Sequence, residues 1–372
     1  LTLGASPFLI GVDSFAMDAP VWLLTLVGGA LADRGDRRRI IGGFQSVQML
    51  CPTAIVLLLA NGRLQPWMIV GLSAIVGITD ALSMPSFQSI VPSIVAPDEI
   101  SHGLALNSTQ YNLSRILGPA IAGVLMTTVG VMACFIVSAA SYVPFIGVAL
   151  WILPRRSRTA ASVKETASPH LLAGVGDILR DRHVGGALLT VLTTGVLCGP
   201  LMTFSSVLVR DAFHGGAGRF SATLVAFGAG GLLGAATLLG LPSTVDLQRA
   251  TSRSALAIAA LVMVSAVDPW FWTLIPLLAL AGAFMTISNT AANSVLQASA
   301  RPQRLGRTVS LYMLALRGGM SLGALFTGGT VSAFGVRPAL LLNGCLALGA
   351  QTLVARFWLR SSAAGDGAGP VV

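Results

Sequence analysis

Eleven apolar runs of roughly 20 residues, separated by short polar loops, constrain this chain more than any other feature. A hydrocarbon core about 30 Å thick needs about 20 apolar residues per helix. That window picks out residues 8–32, 40–60, 67–92, 104–129, 131–153, 184–209, 220–241, 254–267, 270–297, 308–334 and 336–358, of which 254–267 is the shortest. With 54% hydrophobic and 10% charged residues, the chain cannot build a water-soluble surface. The expected fold is therefore all-α, a polytopic transmembrane helical bundle. The 42 glycines suit helices that pack backbone to backbone, where lipid removes the hydrophobic drive for association.

A net charge of +9 raises nucleic-acid binding, but the basic residues fall in short clusters between apolar runs, which argues against it. Alternate loops hold Arg34, Arg37, Arg38 and Arg39, then the 155–182 cluster with Lys164, then Arg249 and Arg253, then Arg301, Arg304 and Arg307, and finally Arg356 and Arg360. Those loops carry seventeen basic residues and the opposite loops four, namely Arg63, Arg210, Arg219 and Arg337. Because short cytoplasmic loops retain Lys and Arg, the richer side is expected to be cytoplasmic, with the C-terminus inside and Leu1 outside. A further helix upstream of Leu1 is expected on that ground, making twelve. Cys51, Cys134, Cys198 and Cys345 lie far apart inside apolar runs and read as packing residues. The four histidines lie in or beside loops without metal-ligand spacing, so neither a metal nor a cofactor is expected.

The longest polar stretch divides the chain into an N-terminal half at 1–153, a cytoplasmic linker at 154–183, a C-terminal half at 184–360 and a disordered tail at 361–372. At an offset of 205 residues the halves match at Trp67 and Trp272, Gly77 and Gly282, Ser89 and Ser294, Pro97 and Pro302, Gly123 and Gly328, and Gly130 and Gly335. Without a gap, Gly29 and Ala30 also meet Gly234 and Ala235. Parallel repeats of six helices are a transporter pattern.

The segment GGALADRGDRRR, Gly28 to Arg39, resembles the loop signature between the second and third helices of the major facilitator superfamily. Gly29, Asp33, Arg34, Arg37 and Arg38 fall on the signature's positions, and Asp36 replaces the glycine that many members carry. NSTQYNLSRILGPAIAG, Asn107 to Gly123, resembles the Gly-Pro motif of drug and metabolite exporters, keeping Gly118, Pro119 and Gly123 but with Ser114 where glycine is usual. With ITDALSMPSFQSIVP before it, the first half resembles the macrolide and siderophore exporter branch, and the family's first helix is the segment apparently lacking. The resemblance implies a cytoplasmic gating latch, in which Asp33 meets the positive N-terminus of the helix beginning near Thr308 and breaks away when the protein opens inward.

A charge at bilayer depth costs at least about 2.5 kcal/mol and needs a partner, water or a proton. Asp80 and Arg115 lie near the middle of successive spans and are expected to pair in a site that exchanges protons or contacts substrate. Asn107, Gln110, Tyr111 and Ser114 form a polar stripe around Arg115. Thr286, Asn289, Thr290, Asn293 and Gln297 form another, and Thr190, Thr193, Thr194 and Cys198 a weaker one. Cavity lining is favoured for these stripes over hydrogen bonding between helices, although one residue can do both. Asp18 and Arg317 are expected to pair across the domain interface, while Asp13 lies nearer the outer surface in reach of water.

The function expected is secondary active transport by alternating access, as proton-coupled efflux of an amphipathic small molecule across the plasma (inner) membrane. The partners are then a small-molecule substrate, protons and the lipid bilayer, and the protein is expected to be a monomer. An importer of the same fold and a truncated, non-transporting membrane protein stay open. An enzyme is not expected, because no GxxxxGK[ST] phosphate loop and no nucleophile with its base stand out.

Overall fold

The computed structural model describes residues 6–34, 36–94, 96, 106, 110, 114, 118, 121–122, 124–126, 128–151, 182–240, 242, 245–299 and 305–365. It forms two compact units, Leu1–Glu165 and Thr166–Val372. The first contains α1 (Pro7–Arg34), α2 (Arg37–Ala60), α3 (Pro66–Ile94) and α4 (Val131–Trp151), and its described residues between 106 and 128 are also helical. The second contains α5 (Arg182–Leu197), the single turn α6 (Pro200–Thr203), α7 (Ser205–Phe213), α8 (Ala217–Gly240), α9 (Leu247–Val267), α10 (Phe271–Ser299), α11 (Leu305–Phe334) and α12 (Val336–Gly365). Among the described residues every regular element is a helix.

Nine stretches among the described residues are long and apolar enough to cross a bilayer. Helix α11 covers the expected run at 308–334 and is 30 residues long. The run expected at 104–129 lies largely outside the described residues. Two expected spans change shape. Helix α9 begins at Leu247 rather than 254, because Asp246 caps it by accepting the backbone N–H groups of Gln248 and Arg249, and Arg249 and Arg253 extend to the surface from its first turns. The run at 184–209 is broken after Leu197, where Pro200 offers no N–H to the helix ladder and α6 restarts the chain.

Glycine sets the closest crossings. In the first unit α1 packs on α3, and a Cβ at Gly28 would lie 2.7 Å from the Ala81 carbonyl oxygen. A Cβ at Gly77 would collide with the Met17 carbonyl. In the second unit α8 packs on α10 in the same way, with Gly282 set against the Phe227 carbonyl and Gly230 and Gly234 set against the carbonyls of Ala279 and Ala283. Helices α5 and α11 cross where Gly319 and Gly323 face the carbonyls of Leu192 and Val196, a small-xxx-small pair.

The units repeat one another in topology. In the first, α1 packs on α3 and α2 packs on α3 and α4; in the second, α8 packs on α10 and α9 packs on α10 and α12. Gly130 and Gly335, each directly before the last helix of its set, have φ of 104° and 85°, a conformation that L side chains rarely adopt. The 205-residue offset therefore holds from α3 onward. Over the first helices it is 210, since Phe227 stands where Met17 does against the paired Gly77 and Gly282. Helix α9 has 21 residues against 24 in α2, and a shorter following loop accounts for the remainder. The gapless match of Gly29 with Gly234 is thus displaced in space by more than a helical turn.

Replacing Gly323 or Gly77 by valine should cost about 2 kcal/mol or more, because the added atoms meet rigid backbone and not a movable side chain. Gly71→Ala, with nothing within 4 Å of its Cβ position, should be tolerated. Thermal unfolding in detergent checks the contrast, and equal midpoints for Gly323→Val and Gly71→Ala would refute it.

Candidate functional site

Three residues of α3, Ser73, Gly77 and Asp80, recur at helical spacing on one face. Gly77 abuts Met17 on α1, and the Ser73 hydroxyl is hydrogen-bonded to the Asp13 carboxylate, so this face is turned to α1. Asp80 is half-buried, one turn beyond Gly77. The Tyr142 phenol of α4 lies within electrostatic reach of both Asp80 and Cys51 of α2. Asp13 is itself half-buried, and its Oδ1 is buried with no hydrogen-bond partner among the described residues. Asp13 is thus a carboxylate of the α1/α3 seam, with Ser73 beside it.

Of the expected cavity residues in the first unit, Asn107, Tyr111 and Arg115 lie outside the described residues, as do Pro119 and Gly123 of the Gly-Pro motif. Gly118 is helical, with no atom within 4 Å of its Cβ position. Gln110 and Ser114 are exposed and bonded to each other, Gln110 Nε2 donating to Ser114 Oγ at 3.1 Å.

In the gating segment, Gly29, Asp33 and Arg34 fall in the last two turns of α1 and Arg37 opens α2, with their side chains outside the described set. Asp36 has a role that its reading as a replaced glycine missed. It is the N-cap of α2, accepting the Arg38 backbone N–H at 3.1 Å, and its other oxygen lies 3.8 Å from Arg39 Nε. Asp246 repeats the device at α9, with Arg249 Nε 3.1 Å away. An aspartate directly before an apolar helix is a cap signal that the sequence contains at both places.

In the second unit the Thr190, Thr193 and Thr194 stripe makes hydrogen bonds between helices. Gln351 of α12, 2% exposed, reaches across to α5 and donates from Nε2 to the Thr190 carbonyl at 3.1 Å, Thr193 Oγ1 at 2.6 Å and Thr194 Oγ1 at 2.9 Å. A buried amide must find partners, and the threonines supply them. Asn343 Nδ2 similarly donates to Thr327 Oγ1 at 2.7 Å, joining α12 to α11. On α10, the Asn289 carbonyl accepts from the Tyr312 hydroxyl of α11 at 3.1 Å, while its side-chain Oδ1 is buried without a partner among the described residues. Asn293 is half-buried one turn on, and Thr290 is exposed. Asp18 is partly buried in the first unit, and Arg317 is partly buried on α11 of the second.

The family model described as transmembrane secretion effector matches residues 2–369. The chain belongs to that family, within the major facilitator superfamily. Macrolide efflux protein A of Streptococcus pyogenes is 23% identical to this transporter over 331 residues, covering 86% of the chain and 79% of that protein. The Staphyloferrin A transporter of Staphylococcus aureus is 24% identical over 344 residues, covering 90% and 84%. Among solved structures, the nucleoside transporter NupG matches with a TM-score of 0.74 at 12% identity, covering 96% of this chain and 92% of that one, which shows a shared fold. The protein is accordingly a polytopic membrane transporter of small molecules and not an enzyme, and its bacterial relatives place it in the plasma membrane.

One end of the transporter's second unit carries an aromatic and cationic cluster that the sequence reading left as three loop arginines, Arg210, Arg219 and Arg337. The Phe213 and Phe271 rings lie edge to face at 6.0 Å, with Trp272 5.5 Å from Phe271. Arg219 sits 5.2 Å over Phe271 and donates from Nη1 to the Phe213 carbonyl at 2.9 Å, and Arg337 sits 5.4 Å over Phe213. Each ring contact contributes about 0.5–1 kcal/mol at an exposed site. Arg210 is chelated by Asp211, whose hydrogen bond holds the guanidinium pKa above its ordinary value.

Gln351→Leu should lower stability by about 1–3 kcal/mol by stripping the buried threonines of their partner. Gln351→Leu combined with Thr193→Val and Thr194→Val should recover part of that loss. Detergent unfolding midpoints test this, and a triple variant less stable than the single one would contradict the interhelical reading.

Proposed function

We propose that this transporter exports amphipathic small molecules in exchange for protons, by alternating access. The observation that carries the reading is the placement of Asp80: a half-buried carboxylate deep in a membrane helix, on the face turned to α1 and within reach of Tyr142. A carboxylate at bilayer depth needs a partner, water or a proton, which suits a site that couples proton movement to alternating access. Arg115, Asn107 and Tyr111 in the first unit and Asn289 and Asn293 in the second complete the proposed cavity. The unpartnered Asn289 Oδ1 is an acceptor available to a substrate donor. Relatives named for macrolide efflux and for staphyloferrin A transport support a cargo with both polar and apolar surface.

In this reading residues 1–153 and 184–360 are the moving halves of a monomer, joined by a cytoplasmic linker, and the C-terminus is cytoplasmic. Gly29, Asp33, Arg34, Arg37 and Arg38 form the cytoplasmic latch, with Asp36 fixing the start of α2 behind it. Gly118, Pro119 and Gly123 shape the exporter motif, and Asp18 and Arg317 pair across the halves.

Asp80→Asn should abolish uphill transport driven by a pH gradient in proteoliposomes while leaving substrate exchange at equal pH intact. Undiminished gradient-driven accumulation in that variant would remove Asp80 from the coupling role.

A further inference from the structure

Residues 182–365 contain three acidic side chains, Asp211, Asp246 and Asp268. Asp246 caps α9 at the far end of that helix. Asp211 is engaged by Arg210, and Asp268 is buried, accepting the Trp270 backbone N–H and the Thr273 hydroxyl. Among the described residues of this unit no carboxylate is therefore left for Arg219 or Arg337. Both arginines also stand in the first turns of α8 and α12, where the helix dipole repels a cation, so helix stability does not explain them. The two guanidiniums sit over Phe271 and Phe213, and beyond the Arg219 Nη1 bond to the Phe213 carbonyl their other N–H groups remain as donors among the described residues.

The surroundings define the depth. Trp270, Trp272 and Phe334 are 70%, 78% and 69% exposed, at the starts of α10 and the end of α11. Exposed tryptophans at helix ends mark the membrane's headgroup layer, and the repeat-related Trp67 at the start of α3 is 62% exposed as well. Two cations without carboxylate partners thus stand at the level where phosphodiesters lie. We propose that Arg219 and Arg337, framed by Trp270 and Trp272, form a headgroup site for an anionic phospholipid of the phosphatidylglycerol type. The lipid phosphate accepts from the free guanidinium edges, and its acyl chains lie along the apolar surface beside Trp272. Occupancy braces the ends of α7, α8, α10 and α12, which meet at the Phe213 and Phe271 rings. This site is independent of cargo and of the coupling ion.

Native mass spectrometry of the full chain in detergent, titrated separately with phosphatidylglycerol and phosphatidylcholine, tests the site. The wild type should retain phosphatidylglycerol in preference, and Arg219→Gln and Arg337→Gln should each weaken that retention about fivefold, about 1 kcal/mol per guanidinium near the surface. Arg356→Gln, 19 residues further along α12, should change nothing. Equal retention of the two lipids by the wild type, or unchanged phosphatidylglycerol retention in the double variant, overturns the proposal. So does displacement of the lipid by millimolar inorganic phosphate, which would indicate a free-anion site. Should the double variant fail to fold, quenching of wild-type fluorescence by headgroup-labelled lipid in vesicles, corrected with Trp272→Phe, decides. Stronger quenching by phosphatidylglycerol than by phosphatidylcholine supports the site, and equal quenching removes it.

Discussion

Contact between helix backbones is the interaction on which the rest of this transporter depends. Lipid tails are as apolar as leucine, so burying leucine between two helices gains little, and association rests on close van der Waals approach and on polar bonds between helices. The Gly77 crossing in the first unit and the Gly282, Gly319 and Gly323 crossings in the second bring carbonyls to where a Cβ would stand. These contacts fix which helices are neighbours, and hence which polar side chains can meet.

Polar residues then divide by whether a neighbour satisfies them. Gln351 is buried, its amide nitrogen spread over three groups of α5, and it ties two helices together. Asn343 is half committed, through Thr327, and its Oδ1 has no partner among the described residues. Asp13 and Asp80 belong to a third class, acidic groups at membrane depth on the seam between α1 and α3. A transporter needs the first class to stay rigid and the third to respond, and here the two kinds are kept on different helices.

The two units share this logic without sharing a register. Their topologies agree, as do the glycine conformations at 130 and 335 and the aspartate caps at 36 and 246. The five-residue difference over the first helices is absorbed by a shorter α9 and a tighter loop, so helix crossings have been kept while sequence spacing has not.

Membrane class and the all-α fold were legible from periods of apolar residues, because lipid forces each spanning segment to satisfy its own backbone and so to declare itself locally; the family was legible only through the motif resemblance of Gly28 to Arg39. Broken spans were less legible: Pro200 was visible, but hydropathy averaged over it. The polar stripes were legible as stripes and not in their use. Thr190, Thr193 and Thr194 look the same in sequence whether they face a cavity or Gln351, which lies about 160 positions later along the chain. For Asp13, likewise, position along α1 was readable but the hydrogen bond to Ser73 was not. What the sequence determined by itself is what depends on neighbours along the chain: spans, caps and the repeat. Which face of each helix meets which other helix was decided only in three dimensions, because that depends on contacts between residues that no local pattern connects.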